Sequence, residues 1–234
     1  DVEIKAHNLN TSPVTEVLSG RATFGISDSS IVLQRMQGKP VVVLSAIFQH
    51  SPLVLLTLKD SGIKSPHDLI NKRVSYQKTI DGASITAMFL ALGIEPEHYT
   101  HVPYTFNDNV LIDGEADAFS VYVTNQPEYY REMGYDVTVI EPMNYGIDFY
   151  GDMIFTSQNY VEQNPERAQA FVNASVKGWA YALEHPDEVI DYILNHYSNE
   201  RSINILRYEA ITTKPLISPS AIPIGTTFKE RFQR

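Results

Sequence analysis

Pro40-Val41-Val42-Val43-Leu44-Ser45-Ala46-Ile47 and Leu53-Val54-Leu55-Leu56-Thr57-Leu58 are near-continuous apolar runs, with Gln49-His50-Ser51 between them. Short apolar runs without alternation fit strands buried on both faces, because neither face meets water. The polar junction between two such strands must find partners of its own.

Working outward, strands and helices alternate. Val2-Glu3-Ile4-Lys5-Ala6 has period two and predicts a strand. Ser12-Pro13 opens a short helix that Gly20 closes, and Thr23–Ser27 predicts a second strand. Asp28 or Ser29 caps a helix carrying Ile31, Leu33 and Met36, stopped at Gly38. On the other side, Ser65-Pro66-His67-Asp68 is a capping box with Asp for the usual Glu. Then follow a strand at 73–77, a helix at 83–92 with Ile85, Phe89 and Leu92 on one face, a strand at 100–104 and a short helix near 108–113. A strand at 116–122, a helix at 126–133 ended by Gly134 and a strand at 137–140 complete this block. After a strand at 152–156 the pattern turns helical, with starts at Asn164-Pro165, His185-Pro186 and Ser202.

This alternation predicts an α/β protein with mostly parallel sheets flanked by helices. Residues 63–148 read as a complete lobe two, and residues 1–62 plus 149–234 as a discontinuous lobe one. Two crossings between lobes make a hinge, and a hinge makes a cleft.

Composition narrows what the cleft can do. The chain has 234 residues, with 18 basic against 28 acidic side chains and a formal net charge of −10. No run of Lys and Arg exists to hold a phosphate backbone, which argues against nucleic acid as a partner. With no cysteine, disulfides, thiolate nucleophiles and Cys-type zinc sites are excluded. Seven histidines lack metal-ligand spacing, and no Gly-x-Ser-x-Gly, Walker loop or His-Glu-x-x-His occurs. The expectation is a binder without catalytic residues, metal or cofactor.

In open α/β lobes, ligands sit at the C-terminal ends of strands, near helix N-termini. Ser27, Asp28 and Ser29 stand at such an end, where ligand contact competes with simple helix capping. Gln49, His50 and Ser51 are either contacts or satisfied crossover residues. Tyr76 and Gln77 end the first lobe-two strand. Asp81-Gly82-Ala83 opens the next helix, where the amides of Gly82 and Ala83 would suit a carboxylate or phosphate unless the segment is a plain turn. Tyr122 could stack on a flat ligand, with Asn125 and Gln126 beside it. Tyr150 and Asp152, in the second crossover, suit a cationic or amino-heterocyclic ligand or cap the hinge backbone.

Several segments together resemble the bacterial substrate-binding proteins of ABC transporters, in the branch for thiamine pyrimidine precursors, nitrate, sulfonates and taurine. They are Leu18-Ser19-Gly20-Arg21-Ala22-Thr23-Phe24-Gly25-Ile26, Gly38-Lys39-Pro40-Val41-Val42, Gly62-Ile63-Lys64-Ser65-Pro66-His67-Asp68-Leu69, Asp113-Gly114-Glu115-Ala116-Asp117-Ala118 and Asn164-Pro165-Glu166. The resemblance covers nearly the whole chain and implies a two-lobe, type II periplasmic-binding fold. It implies a small ligand (a pyrimidine, an amino-acid-like or a sulfonate-like molecule) and a periplasmic or extracytoplasmic location. It also implies a partner, either a membrane permease or fused membrane signalling domains. Ala46-Ile47-Phe48-Gln49-His50-Ser51-Pro52 is similar to members fused to a membrane histidine kinase or diguanylate cyclase. Family members usually carry one more strand and helix before a segment like Val2-Glu3-Ile4, so lobe one is expected to lack them and to dimerise through the exposed edge or lose stability. The pyrimidine synthase of the same superfamily is the enzyme alternative. Its Cys-rich motif has no counterpart here.

Overall fold

The computed structural model describes residues 2–5, 11–78, 82–219 and 222–232. Two sheets organise the chain. The first has three strands in the order β1-β8-β2, formed by Phe24–Ser27, Met153–Ser157 and Val41–Ala46. The second has five, in the order β5-β4-β6-β3-β7: Thr100–Pro103, Arg73–Tyr76, Ala118–Tyr122, Leu53–Leu58 and Val137–Ile140.

The sheets are mixed, where mostly parallel ones were expected. Among the described residues, only β4–β5 and β4–β6 run parallel. β1–β8, β2–β8, β3–β6 and β3–β7 are antiparallel. The reason is directional. β1 and β2 share one sense in the first sheet and β4, β5, β6 and β7 share one sense in the second, and β8 and β3 are the first strands after each crossover. A chain that enters a sheet from the hinge must run away from it, so these two strands oppose their neighbours. The polar junction at 49–51 is thus the first passage between sheets. β3 pairs with β6 and β7, which moves the sheet change from residue 62 back to residues 47–52.

β3 is buried on both faces, as its composition requires. Leu55 packs with Val74, Tyr76, Ile85 and Phe89 on one face, and Val54 and Leu56 with Val110, Leu111, Phe119 and Tyr130 on the other. The first face is covered by α3 (Ala83–Ala91), and the second cluster takes Tyr130 from α4 (Gln126–Glu132). In lobe one, α1 (Pro13–Leu18) and α2 (Ser30–Met36) bring Val14, Val17 and Ile31 onto Val41 and Phe155. The chain continues through α5 (Gln158–Gln163), α6 (Pro165–Glu184), α7 (Pro186–His196) and α8 (Ile203–Ile217). The capping box is present: the Asp68 carboxylate accepts from Ser65 N at 2.9 Å and from Lys64 N at 3.0 Å.

Two expected elements differ. Residues 2–5 form no strand, because a strand needs a neighbour to pair with; Val2 and Ile4 are exposed, and Ala6 lies outside the described residues. Residues 108–113 form turns, closed by Asp113 N donating to Asn109 O, instead of a helix. Among the described residues, no helix is long and apolar enough to cross a membrane.

Candidate functional site

The two crossovers lie side by side and are knitted together. Ile47 N donates to Asp152 O at 2.9 Å, and Gly151 N to Phe48 O at 3.1 Å. Gly151 must be glycine, since a Cβ there would come within 2.7 Å of Phe48 Cβ and 2.8 Å of Pro52 Cδ. His50 Nδ1 lies 2.7 Å from Asp148 Oδ1, joining one crossover to the other. Arg231 clamps both: its guanidinium donates to Gln49 O at 2.7 Å and Asp148 O at 3.2 Å, and stacks 4.1 Å over the Tyr150 ring.

Beside this hinge a cavity of about 540 Å³ opens between the sheets. β1 brings Ile26 and Ser27 to it, followed by Asp28; β4 leads into Gln77, β5 into Tyr104 and Phe106, and β6 brings Ser120 and Tyr122. Ser51 and Leu53 come from the first crossover and Asp152 from the second. Six strands carry their C-terminal ends to the hinge side, so the strand-end rule locates the cavity. Tyr122 Oη donates to Asp152 Oδ1 at 3.0 Å, so one hydrogen bond spans from lobe two to lobe one. Burial pushes the Asp152 carboxyl above its ordinary range, and the Tyr122 hydroxyl only partly offsets this. Tyr122 itself is driven well above the usual phenol range, first by burial and then by the Asp152 carboxylate.

α8 closes a third side. Its stripe Ile205, Thr213 and Ile217 is buried, and Glu209 stands in the same i, i+4 series facing the cavity. Asn125 Nδ2 donates to Glu209 Oε2 at 3.2 Å. Burial raises the Glu209 carboxyl, against the opposing pull of Asn125 and Arg201. Arg201 pairs with Asp108 and lies 5.2 Å over the Tyr129 ring. Asn125 Oδ1 is buried and has no hydrogen-bond partner among the described residues.

Of the residues expected at the site, Ser27, Asp28, Ser51, Gln77, Tyr122, Asn125 and Asp152 line this cavity, with Gln126 beside them. The others lie elsewhere, each for a visible reason. Gln49 is buried and donates its amide to Ala46 O and Thr226 O. His50 is held by Asp148, and Tyr150 takes the Phe228 N–H on its hydroxyl. The Tyr76 hydroxyl meets that of Tyr99 inside the core. Gly82 is pressed against the end of β4, where a Cβ would fall 1.8 Å from Gln77 O, so the turn at Gly82 and Ala83 is packed rather than open. Ser29 flanks α2, and the Asp28 side chain accepts the Ser30 N–H at 2.9 Å in its stead. Asp81 lies outside the described residues. Arg201, Glu209, Tyr104 and Phe106 were not anticipated. The signal for Glu209 was in the sequence: a carboxylate in an i, i+4 series that begins and ends on Ile205 and Ile217.

A family model described as NMT1/THI5 like matches residues 1–189. The formylaminopyrimidine-binding protein of Halalkalibacterium halodurans is 26% identical over 202 residues, covering 84% of this chain and 61% of that protein. Riboflavin-binding protein RibY of Chloroflexus aurantiacus is 29% identical over 181 residues, covering 75% and 51%. A 4-amino-5-hydroxymethyl-2-methylpyrimidine phosphate synthase of Legionella pneumophila is 26% identical over 188 residues, covering 78% and 60%. The chain thus spans between half and about three fifths of the length of these curated relatives. Among solved structures, the periplasmic aliphatic sulphonate binding protein SsuA of Escherichia coli superposes with a TM-score of 0.72 at 15% identity, covering 93% of this chain and 73% of that one. The fold is therefore periplasmic-binding-protein-like.

Proposed function

This chain belongs to the NMT1/THI5-like family, and on that premise we propose that it binds a small organic solute between its lobes and does no chemistry on it. The observation that carries this reading is the cavity of about 540 Å³ beside a two-stranded hinge, lined from both sheets and from α8. Two of the relatives are named for binding a formylaminopyrimidine and riboflavin, both flat heterocycles. The aromatic rings of Tyr104, Phe106 and Tyr122 offer surfaces for such a solute.

Among the described residues, the lining offers no activated hydroxyl nucleophile. The hydroxyls of Ser27 and Ser51 are engaged by Ser30 Oγ and Leu53 N, and no histidine or lysine lies beside them among the lining residues to act as a base. One relative carries a synthase name, so a single-turnover assay belongs with the binding test.

A solute held by both lobes favours the closed arrangement by its differential affinity for it. In an extracytoplasmic setting, that closed form would be read by a permease or by attached membrane signalling domains. Thermal-shift measurement with pyrimidines, flavins, amino acids and sulfonates tests the reading. A binder raises the melting temperature, and Tyr122→Ala or Asn125→Ala removes the rise. No stabilisation by any of them at millimolar concentration contradicts it.

A further inference from the structure

We propose that the solute is an organic cation with N–H donors (a protonated amine, an amidine or a cationic amino-heterocycle) and that the cleft rejects anions. This inference rests on the cleft-binding reading above and adds a charge requirement that the reading alone does not contain.

The lining is lopsided in charge. Asp28, Asp152 and Glu209 face the cavity from lobe one and α8. Arg201 is the basic residue among those that line it, and its guanidinium is taken by Asp108. Asp152 receives the Tyr122 hydroxyl, and Glu209 receives the Asn125 amide; neither is in salt-bridge contact with a cation among the described residues. Half-buried carboxylates without a salt-bridge partner lose part of their hydration, and a cationic ligand would balance their charge. Burial raises both carboxyls, which agrees with this geometry.

The acceptor surplus extends to a neutral group. Asn125 Oδ1 is buried and unpartnered beside Glu209. Its orientation is not arbitrary: turning the amide would set Oδ1 against the Glu209 carboxylate and lose the 3.2 Å hydrogen bond. A buried acceptor without a partner is costly, and an N–H donor on a ligand lodged against Asn125 would satisfy it. The rings of Tyr104, Phe106 and Tyr122 add faces that attract a cation.

The places that would hold an anion are already used. The Ser30 amide at the start of α2 is taken by Asp28 at 2.9 Å. The amide of Tyr122 donates to Gln126 Oε1 at 3.3 Å. At the start of α3, Gly82 sits so close to the Gln77 carbonyl that a Cβ there would fall 1.8 Å from it. A sulfonate or phosphate would meet carboxylates where it needs donors.

Benzamidine, benzamide and benzoate have nearly the same shape and differ in charge. Isothermal titration calorimetry of the whole chain with the three probes at neutral pH tests the proposal. Benzamidine is expected to bind about tenfold or more tightly than either of the others, a gap of about 1.4 kcal/mol. Glu209→Gln, which can keep the Asn125 hydrogen bond, is expected to remove most of that preference; Asp152→Asn gives a second, independent reading. Equal or tighter binding of benzoate overturns the proposal, as does a preference that survives both substitutions. If neutral or anionic solutes bind and Tyr122→Ala abolishes it, while benzamidine does not bind, the cleft stands and the cation requirement falls. If neither the probes nor the wider solute panel binds, both readings fall.

Discussion

The two ends of β6 hold opposite electrostatic designs. At its start, Asp117 accepts from Arg73 N at 2.8 Å, Arg73 Nε at 3.2 Å and Arg73 Nη2 at 2.9 Å, and Arg73 Nη1 donates onward to Gly114 O at 2.6 Å. The guanidinium holds the Asp117 carboxyl below its ordinary range. At its other end, Tyr122 reaches Asp152, whose carboxyl burial raises. One end satisfies its charge inside the fold, while the other leaves charge for something else to satisfy. The difference separates scaffold from site: a fold gains nothing from a half-buried acid without a salt-bridge partner, so such an acid marks where a ligand contributes.

The comparison can be broken most directly by neutralising the cleft acids. The double variant Asp152→Asn, Glu209→Gln is expected to lose about 100-fold in affinity for a bound cation, or about 2.7 kcal/mol. Its melting temperature without ligand is expected to rise, because two desolvated charges are gone. A lower melting temperature would show that these acids serve the fold. The opposite pattern is expected at the far end: Asp117→Ala should cost about 1–2 kcal/mol by denaturant unfolding, from orphaned Arg73 donors, with ligand affinity unchanged.

Acid sharpens the same contrast. The Asp117 carboxyl is lowered from 3.8, so its stabilisation is full above that value and is lost as pH falls below it. The Asp152 and Glu209 carboxyls are raised from 3.8 and 4.5, so on acidification they protonate first. Cation affinity measured against pH should therefore decline before the Arg73–Asp117 clamp weakens, with Tyr122, Asn125, Arg201 and Asp28 as the polar and charged neighbours of these acids. The smallest effect is expected at the hinge. Arg231→Ala removes a clamp on both crossovers and should change affinity by about threefold or less, read by calorimetry, while raising amide exchange at 47–52 and 147–152.

Much of this division was legible in the sequence, because local signals describe scaffold. The Ser65–Asp68 box, the doubly buried β3 and the strand ends at Ser27, Gln77 and Tyr122 all follow from spacing and residue type. The motifs that carry the family resemblance are largely scaffold too: Gly25 lies flat against the Phe155 ring, where a Cβ would come within 2.5 Å, and Asp117 seats Arg73. What stayed hidden depends on packing between distant segments. Gln49, His50 and Tyr150 looked like ligand groups, yet the C-terminal residues Thr226, Phe228 and Arg231 and the second crossover engage them. Arg201, just before α8, and Glu209, on it, reach the cavity because α8 returns across the mouth of lobe two, with Tyr208 Oη donating to Val123 O.

The central claim is that the solute binds between the lobes and α8, with the far rim uninvolved. Hydrogen–deuterium exchange with and without saturating solute measures this in one experiment. Protection is expected across 24–28, 120–126 and 201–209, with no change across 72–75 and 113–118. Protection of the far rim, or a bound solute that leaves all three cleft segments unchanged, would contradict it.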